Sequence, residues 1–90
     1  MHNWKINEYL QDILKKLSKK DQSLHEQILK KMDEIINAYD LEHYKNLRYD
    51  MKNSKRVHLG FFVLVFQFDK KTNTILFNDF DHYDNIYKRK

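Results

Sequence analysis

The stretch Phe61–Phe68, FFVLVFQF, limits the possible folds of this chain more than any other part of it. Apolar residues occupy both odd and even positions over most of its length, so a β-strand built from it is hydrophobic on both faces. A strand of this kind belongs in the middle of a sheet and needs apolar cover on each side. The stretch therefore predicts a central antiparallel strand, with helices on one face and another apolar element on the other.

Other segments share the β-type composition of this strand. Arg56–Leu59 precedes it, and Thr74–Phe80 follows it after the polar turn Asp69–Asn73. Trp4 and Ile6, near the N-terminus, predict a short edge strand. The second half of the chain is therefore expected to form an antiparallel meander.

The first half of the chain has a helical period instead. Two sets of apolar residues recur every three or four positions: Tyr9, Leu10, Ile13, Leu14 and Leu17, then Leu24, Ile28, Met32, Ile35 and Ile36. A polar connection separates them, in which Ser18 or Asp21 is available to cap the second helix. The short connection predicts an antiparallel helical hairpin. Two helices followed by a sheet make an α+β fold.

The composition excludes several classes of protein. Ninety residues are too few for two separate cores, so we expect one domain over residues 1–90. The absence of cysteine excludes disulfides and thiolate zinc sites and fits a reducing cytoplasm. No apolar run approaches the roughly 20 residues of a membrane span, and no cleavable signal pattern is present. We therefore expect a cytoplasmic protein without membrane contact.

Positive charge is concentrated in the second half of the chain. Residues 1–42 hold seven lysines and eight acidic residues, whereas residues 43–90 hold ten Lys or Arg and five acidic residues. The segment His43–His58 carries five of these cations, one acid and interleaved aromatic rings. Because cations bind phosphates and rings stack on bases, this segment indicates an RNA partner. A solvated surface connector has a similar composition, so the charge pattern leaves both interpretations open.

Four motifs, in this order, resemble the RelE/ParE superfamily of small toxins from type II toxin–antitoxin modules. They are Lys45-Asn46-Leu47, Arg56-Val57-His58-Leu59-Gly60, Val63-Leu64-Val65-Phe66 and His82-Tyr83-Asp84-Asn85-Ile86-Tyr87. The resemblance implies two N-terminal helices packed on a mostly antiparallel four-stranded sheet, and a cognate antitoxin as partner. It also implies an activity, since RelE-like members cut messenger RNA on the ribosome without a metal. In that reaction a ribose 2′-hydroxyl attacks the adjacent phosphate and leaves a 2′,3′-cyclic phosphate.

The resemblance also implies roles for individual residues. Four match the family's catalytic positions: Arg56, His58, His82 and Tyr87. The first binds phosphate, and the others supply proton transfer or a ring that stacks on the substrate. Six cations near them are the candidate RNA-binding residues: Lys45, Arg48, Lys52, Lys55, Lys88 and Arg89. We expect a groove with His82 and Tyr87 on one wall and the two strand residues on the other.

Val63 is the main departure from the family pattern. RelE-like members carry a catalytic arginine three residues after the glycine of the strand, and three residues after Gly60 this chain has Val63. Three functions therefore stay open. The first is a ribosome-dependent endoribonuclease that relies on its histidines, and the second is a non-catalytic protein of the same fold, such as a ParE-like gyrase inhibitor or a degenerate toxin. The third is a plain RNA-binding module.

Asp79, Asp81, His82 and Asp84 have the composition of a metal site. On a strand, however, Asp79 and Asp81 share one face while His82 points to the other. The chain also has no HExxH or EF-hand pattern. We therefore expect neither a metal nor another cofactor.

Overall fold

The computed structural model of the protein describes residues 1–46 and 54–88. Its elements are β1 (Asn3–Ile6), α1 (Glu8–Lys20), α2 (Gln22–Ile36), β2 (Ser54–Leu59), β3 (Phe62–Asp69), β4 (Thr74–His82) and α3 (Tyr83–Lys88), with a short 3₁₀ helix at Leu41–His43. The predicted α+β fold, two N-terminal helices with a mostly antiparallel four-stranded sheet, is confirmed. Within the described residues, none of the helices is long and apolar enough to cross a membrane.

The sheet places β3 in its interior, in the strand order β1-β4-β3-β2. The pairs β2–β3 and β3–β4 are antiparallel, whereas β1 runs parallel to β4 at the edge. The sheet is therefore mixed, and the predicted edge strand around Trp4 and Ile6 is its one parallel member within the described residues.

Side chains begin both long helices. The Asn7 side chain accepts the Leu10 N–H at 2.9 Å and starts α1, and the Asp21 side chain accepts the Leu24 N–H at 3.1 Å and starts α2. These bonds satisfy donors that the first turn of a helix leaves without partners. Asp21 is one of the two caps that the sequence offered, and it fixes the start of the second helix of the hairpin.

A bulge in β4 reverses the direction of its side chains. Val65 pairs with Asp79 and Phe66 with Phe77, so Asn78 is an extra residue opposite this step. Before the bulge, Phe77 packs toward the helices, and after it Phe80 does so. The bulge therefore decides which residues near the end of β4 face the helical layer.

The interior strand β3 is covered on both faces, as its composition requires. Leu64 and Phe66 belong to the main core under α1 and α2. Val63 and Val65 face the other side and form a second cluster with Ile86 of α3. The predicted second apolar cover is therefore α3, a helix that the polar sequence after Phe80 did not reveal.

We predict that Ile86→Ala destabilises the protein by about 2–4 kcal/mol, since Ile86 is 3% exposed and packs on two buried valines. Equilibrium urea unfolding measures this loss. The matched control is Leu29→Ala in α2, which removes a side chain that is 44% exposed and is expected to change stability by less than about 0.5 kcal/mol. Equal effects of the two substitutions would show that α3 does not stabilise the sheet.

Candidate functional site

The face of the sheet turned away from α1 and α2 carries two of the candidate catalytic residues. Arg56 lies opposite Val65 across the β2–β3 pair, and His58 lies opposite Val63. Residues directly opposite each other share a face and have Cβ atoms within about 5.5 Å. We call these four residues the open-face patch. It consists of two polar side chains on the edge strand beside two buried valines.

Helix α3 brings a third candidate residue to this patch. Ile86 and the partly buried Tyr87 pack against the two valines of the open-face patch. Because those valines are also the cross-strand neighbours of Arg56 and His58, the three polar candidates border one apolar surface. The structure therefore groups Arg56, His58 and Tyr87.

His82 is not part of this group, and the predicted four-residue groove is corrected on this point. His82 pairs with Phe62, whose ring belongs to the core on the helical side of the sheet. In the neutral ring, Nδ1 accepts the Asp84 N–H at 3.2 Å, as a helix-capping side chain does. The Asp84 carboxylate lies 3.9 Å from the same nitrogen and would face a protonated ring. The sheet separates His82 from the open-face patch, and its ring helps to start α3.

Asp79 and Asp81, near the end of β4, accept hydrogen bonds from residues that follow them. The Asp79 carboxylate accepts the N–H of Phe80 at 2.8 Å. One oxygen of Asp81 accepts the N–H of His82 at 2.7 Å and the side-chain amide of Asn85 at 3.1 Å. Of these three bonds, the one from Asn85 joins the strand to the helix, because Phe80 and His82 belong to β4 itself. Asp81 therefore has a role in positioning α3.

Lys55 is buried, so its assignment as an RNA contact is corrected. It is 6% exposed, and its partner Phe66 shows that it faces the helical side of the sheet. Its ammonium contacts three oxygens: the Tyr44 carbonyl and the Asn46 side chain at 3.3 Å each, and the Glu42 carboxylate at 3.6 Å. Lys55 therefore ties the segment before β2 to the sheet.

The other candidate cations fall in two groups. Lys45 and Lys88 are exposed. The Lys45 carbonyl accepts the Arg56 N–H at 2.9 Å, which places Lys45 along the outer edge of β2. Lys88 follows Tyr87 directly at the end of α3. The remaining three, Arg48, Lys52 and Arg89, lie outside the described residues.

Val63, where RelE-like proteins carry a catalytic arginine, is fully buried. It lies in the small cluster formed with Ile86 and Val65, so this position contributes to the apolar surface on which α3 packs. A charged side chain here would be removed from water and would disrupt the packing of Ile86 on the valines. Positive charge at the open-face patch therefore comes from the edge strand rather than from the middle of the sheet.

The register also separates the ligands of the metal site considered above. Asp79 and Asp81 lie opposite Val65 and Val63, while His82 lies opposite Phe62 on the other face. Across residues 1–46 and 54–88, no group of three or more His, Asp or Glu side chains is arranged to hold a metal ion.

A two-helix layer on one side of a four-stranded sheet, with a polar patch on the other side, defines a small α+β protein of the RelE type. Two solved structures share this fold. The isolated E. coli RelE toxin matches with a TM-score of 0.73 and 18% identity, over 99% of this chain and 98% of that chain. The toxin–antitoxin complex RelBE2 of Mycobacterium tuberculosis matches with a TM-score of 0.60 and 19% identity, over 90% and 96%.

Sequence relatives identify the family. A Methanocaldococcus jannaschii protein named as the candidate toxin RelE4 is 50% identical over all of this chain and 95% of its own length. An uncharacterised protein of Methanosarcina mazei is 41% identical over 97% of this chain and 100% of its own length. No family model matches the chain. The chain belongs to the RelE/ParE superfamily of toxins, as its motifs predicted.

The ion pairs of Glu42 predict a dependence of stability on pH. A hydrogen bond from Lys70, and the charges of Lys55 and Lys70, hold the pKa of the Glu42 carboxyl below its usual value. Because the unfolded chain then binds a proton more readily, this stabilisation is present above the ordinary carboxyl pKa and is lost as pH falls through the lowered one.

We therefore expect wild type to lose its advantage over Glu42→Gln in urea unfolding between about pH 6 and about pH 3. Glu26→Gln serves as the control, since Glu26 is exposed and makes no ion pair within the described part of the chain. An advantage that stays constant or grows toward acid pH would contradict the role assigned to Glu42.

Proposed function

We propose that the chain is the toxin of a type II toxin–antitoxin module and cuts messenger RNA on the ribosome in the cytoplasm. The observation that carries the proposal is the open-face patch, whose Arg56 and His58 lie opposite the valines of the cluster against which Tyr87 packs. Membership of a toxin superfamily supports the biological role. The mycobacterial relative in fold, which is a toxin–antitoxin complex, supports an antitoxin as partner.

The proposed reaction is a transesterification that needs no metal. The 2′-oxygen of a ribose attacks the adjacent phosphorus, the bond from phosphorus to the 5′-oxygen breaks, and a 2′,3′-cyclic phosphate remains. A base takes the proton of the 2′-hydroxyl, an acid gives a proton to the departing 5′-oxygen, and a cation stabilises the additional charge on phosphorus. Three side chains with suitable chemistry are therefore sufficient.

The geometry suggests one role for each member of the group. The Arg56 guanidinium makes no ion pair with any described residue, so its charge is available to a phosphate. The exposed His58 lies two residues further on the same strand face, where an imidazole can transfer a proton near neutral pH. Tyr87 packs against the buried valine cluster, where its hydroxyl supplies the second proton transfer and its ring orients the nucleotide.

We predict that Arg56→Ala lowers the rate of mRNA cleavage about a hundredfold or more, because it removes the cation nearest the developing charge. The measurement is the initial rate of cutting on programmed ribosomes, with primer extension to map the cut. Arg56→Lys should recover part of the rate, since it keeps the charge but loses the two-pronged guanidinium. Lys71→Ala is the matched control, because it removes an exposed cation from the β3–β4 turn.

His58→Ala is expected to slow the same reaction by about a hundredfold or more, the usual contribution of a positioned acid or base. If both His58→Ala and Arg56→Ala cut at the wild-type rate, the open-face patch is not the catalytic site. If wild type itself leaves mRNA intact, the proposed activity is wrong.

The burial of Val63 favours a second candidate function, a non-catalytic protein of the same fold. A ParE-like inhibitor of DNA gyrase would need no arginine at this position. Growth arrest on induced expression, with intact mRNA and inhibited supercoiling by purified gyrase, would support that candidate over the nuclease.

A further inference from the structure

Phe61 is a large apolar side chain that the fold leaves uncovered, with 73% of its surface exposed. It forms the two-residue turn between β2 and β3 together with Gly60. Gly60 has a φ of 63°, a conformation that glycine adopts without the strain other residues incur. The tight turn therefore holds the Phe61 ring at a defined point at the end of the hairpin.

Two further rings extend this exposed surface. The His82 ring lies nearly parallel to Phe61, with an interplanar angle of 19° and centroids 6.3 Å apart. The Tyr83 ring lies 4.7 Å from His82 at 30° and is 41% exposed. The Tyr83 N–H also donates to the Phe61 carbonyl at 2.8 Å, which joins the turn to the start of α3. We call Phe61, His82 and Tyr83 the aromatic platform.

We propose that the aromatic platform stacks on an unpaired nucleobase of single-stranded RNA. The inference rests on the proposed function, because it extends the RNA contact from the open-face patch to a second point on the same hairpin. Every base has a flat π-face, so such a contact tolerates many sequences and adds affinity without reading hydrogen bonds. The platform would hold a base near the scissile phosphate while the patch holds the phosphate itself.

The distance along the chain permits one RNA strand to reach both surfaces. Only two residues separate His58 from Phe61, and three residue steps span at most about 10 Å. Arg56 and His58 lie on the open face of β2, in the same hairpin as Phe61. These two side chains can bind the phosphates next to the stacked base. This continuity with the patch favours RNA over a protein as the occupant.

The proposal also accounts for the position of His82. His82 lies at the last position of β4, opposite Phe62 and beside the β2–β3 turn, and so is outside the open-face patch. It instead supports Phe61 from one side and caps α3 with Nδ1. The ring is therefore a positioning element for the base rather than a catalytic acid.

Binding of a short RNA that cannot be cut tests the proposal without requiring cleavage. The probe is a 2′-O-methyl oligonucleotide that carries 2-aminopurine, whose fluorescence is quenched when the base stacks. Wild type should quench the probe, and Phe61→Ala should lose the quenching and bind about tenfold more weakly. Tyr39→Ala is the matched control, because Tyr39 is fully exposed and makes no ring contact with described residues.

His82 variants separate stacking from proton transfer. His82→Phe keeps a flat ring and removes both nitrogens, so it should bind the probe like wild type, whereas His82→Ala should bind more weakly. Equal losses in the two variants, with circular dichroism showing both folded, would overturn the stacking role.

The outcomes also distinguish this inference from the proposed function. Quenching by a protein that cuts no mRNA would support the platform and defeat the nuclease. Normal cleavage and probe binding by Phe61→Ala would defeat the platform and leave the nuclease standing. If Phe61→Ala binds the probe normally but loses affinity for the antitoxin, the platform is a protein-docking surface and the proposal is wrong.

Discussion

The burial of β3 on both faces is the constraint on which the rest of the structure depends. One face is covered by α1 and α2, and the other is covered by a helix of only six residues, α3. A helix this short is not stable alone in water. It is held by Ile86 in the valine cluster, by the Asp81–Asn85 hydrogen bond and by the His82 cap. Apolar packing and a few polar contacts thus position Tyr87 beside the open-face patch.

The same constraint gives a structural role to Val63, the position at which the family resemblance implies an arginine. If the centre of the sheet is the seat of α3, then Val63 contributes to stability and is not available for catalysis. The candidate catalytic residues Arg56 and His58 lie on the edge strand instead, where they are next to solvent and share a face with the valines. The stabilising valine cluster and the candidate catalytic residues therefore lie on neighbouring strands of one sheet.

Hydrophobic periodicity predicted much of this fold because it reports burial directly. The two-sided pattern of FFVLVFQF identified the interior strand, the helical period identified α1 and α2, and Asp21 was one of the two caps considered for α2. The helix α3 was missed, since in its six residues only Ile86 is buried and the surrounding side chains are polar. One buried apolar residue, Ile86, is too few to show a helical period in the sequence.

The candidate site was predicted less well for a specific reason, the bulge at Asn78. If the alternation of Ile75 and Phe77 continued unbroken, His82 would share the open face with Arg56 and His58. The extra residue turns it to the helical side instead.

Lys55 was misplaced for a simpler reason. Neighbouring residues of a strand face opposite ways, so Lys55 and Arg56 could not both lie on the open face.

The central claim is that messenger RNA contacts the open-face patch and not the helical layer. Photo-crosslinking on programmed ribosomes tests it most directly, with a 2′-deoxy codon that cannot be cut. A benzophenone side chain replaces either His58, which is exposed beside the valines, or Leu29, which is exposed on α2. The account predicts a crosslink to mRNA from position 58 and none from position 29. A crosslink from position 29 alone would contradict it.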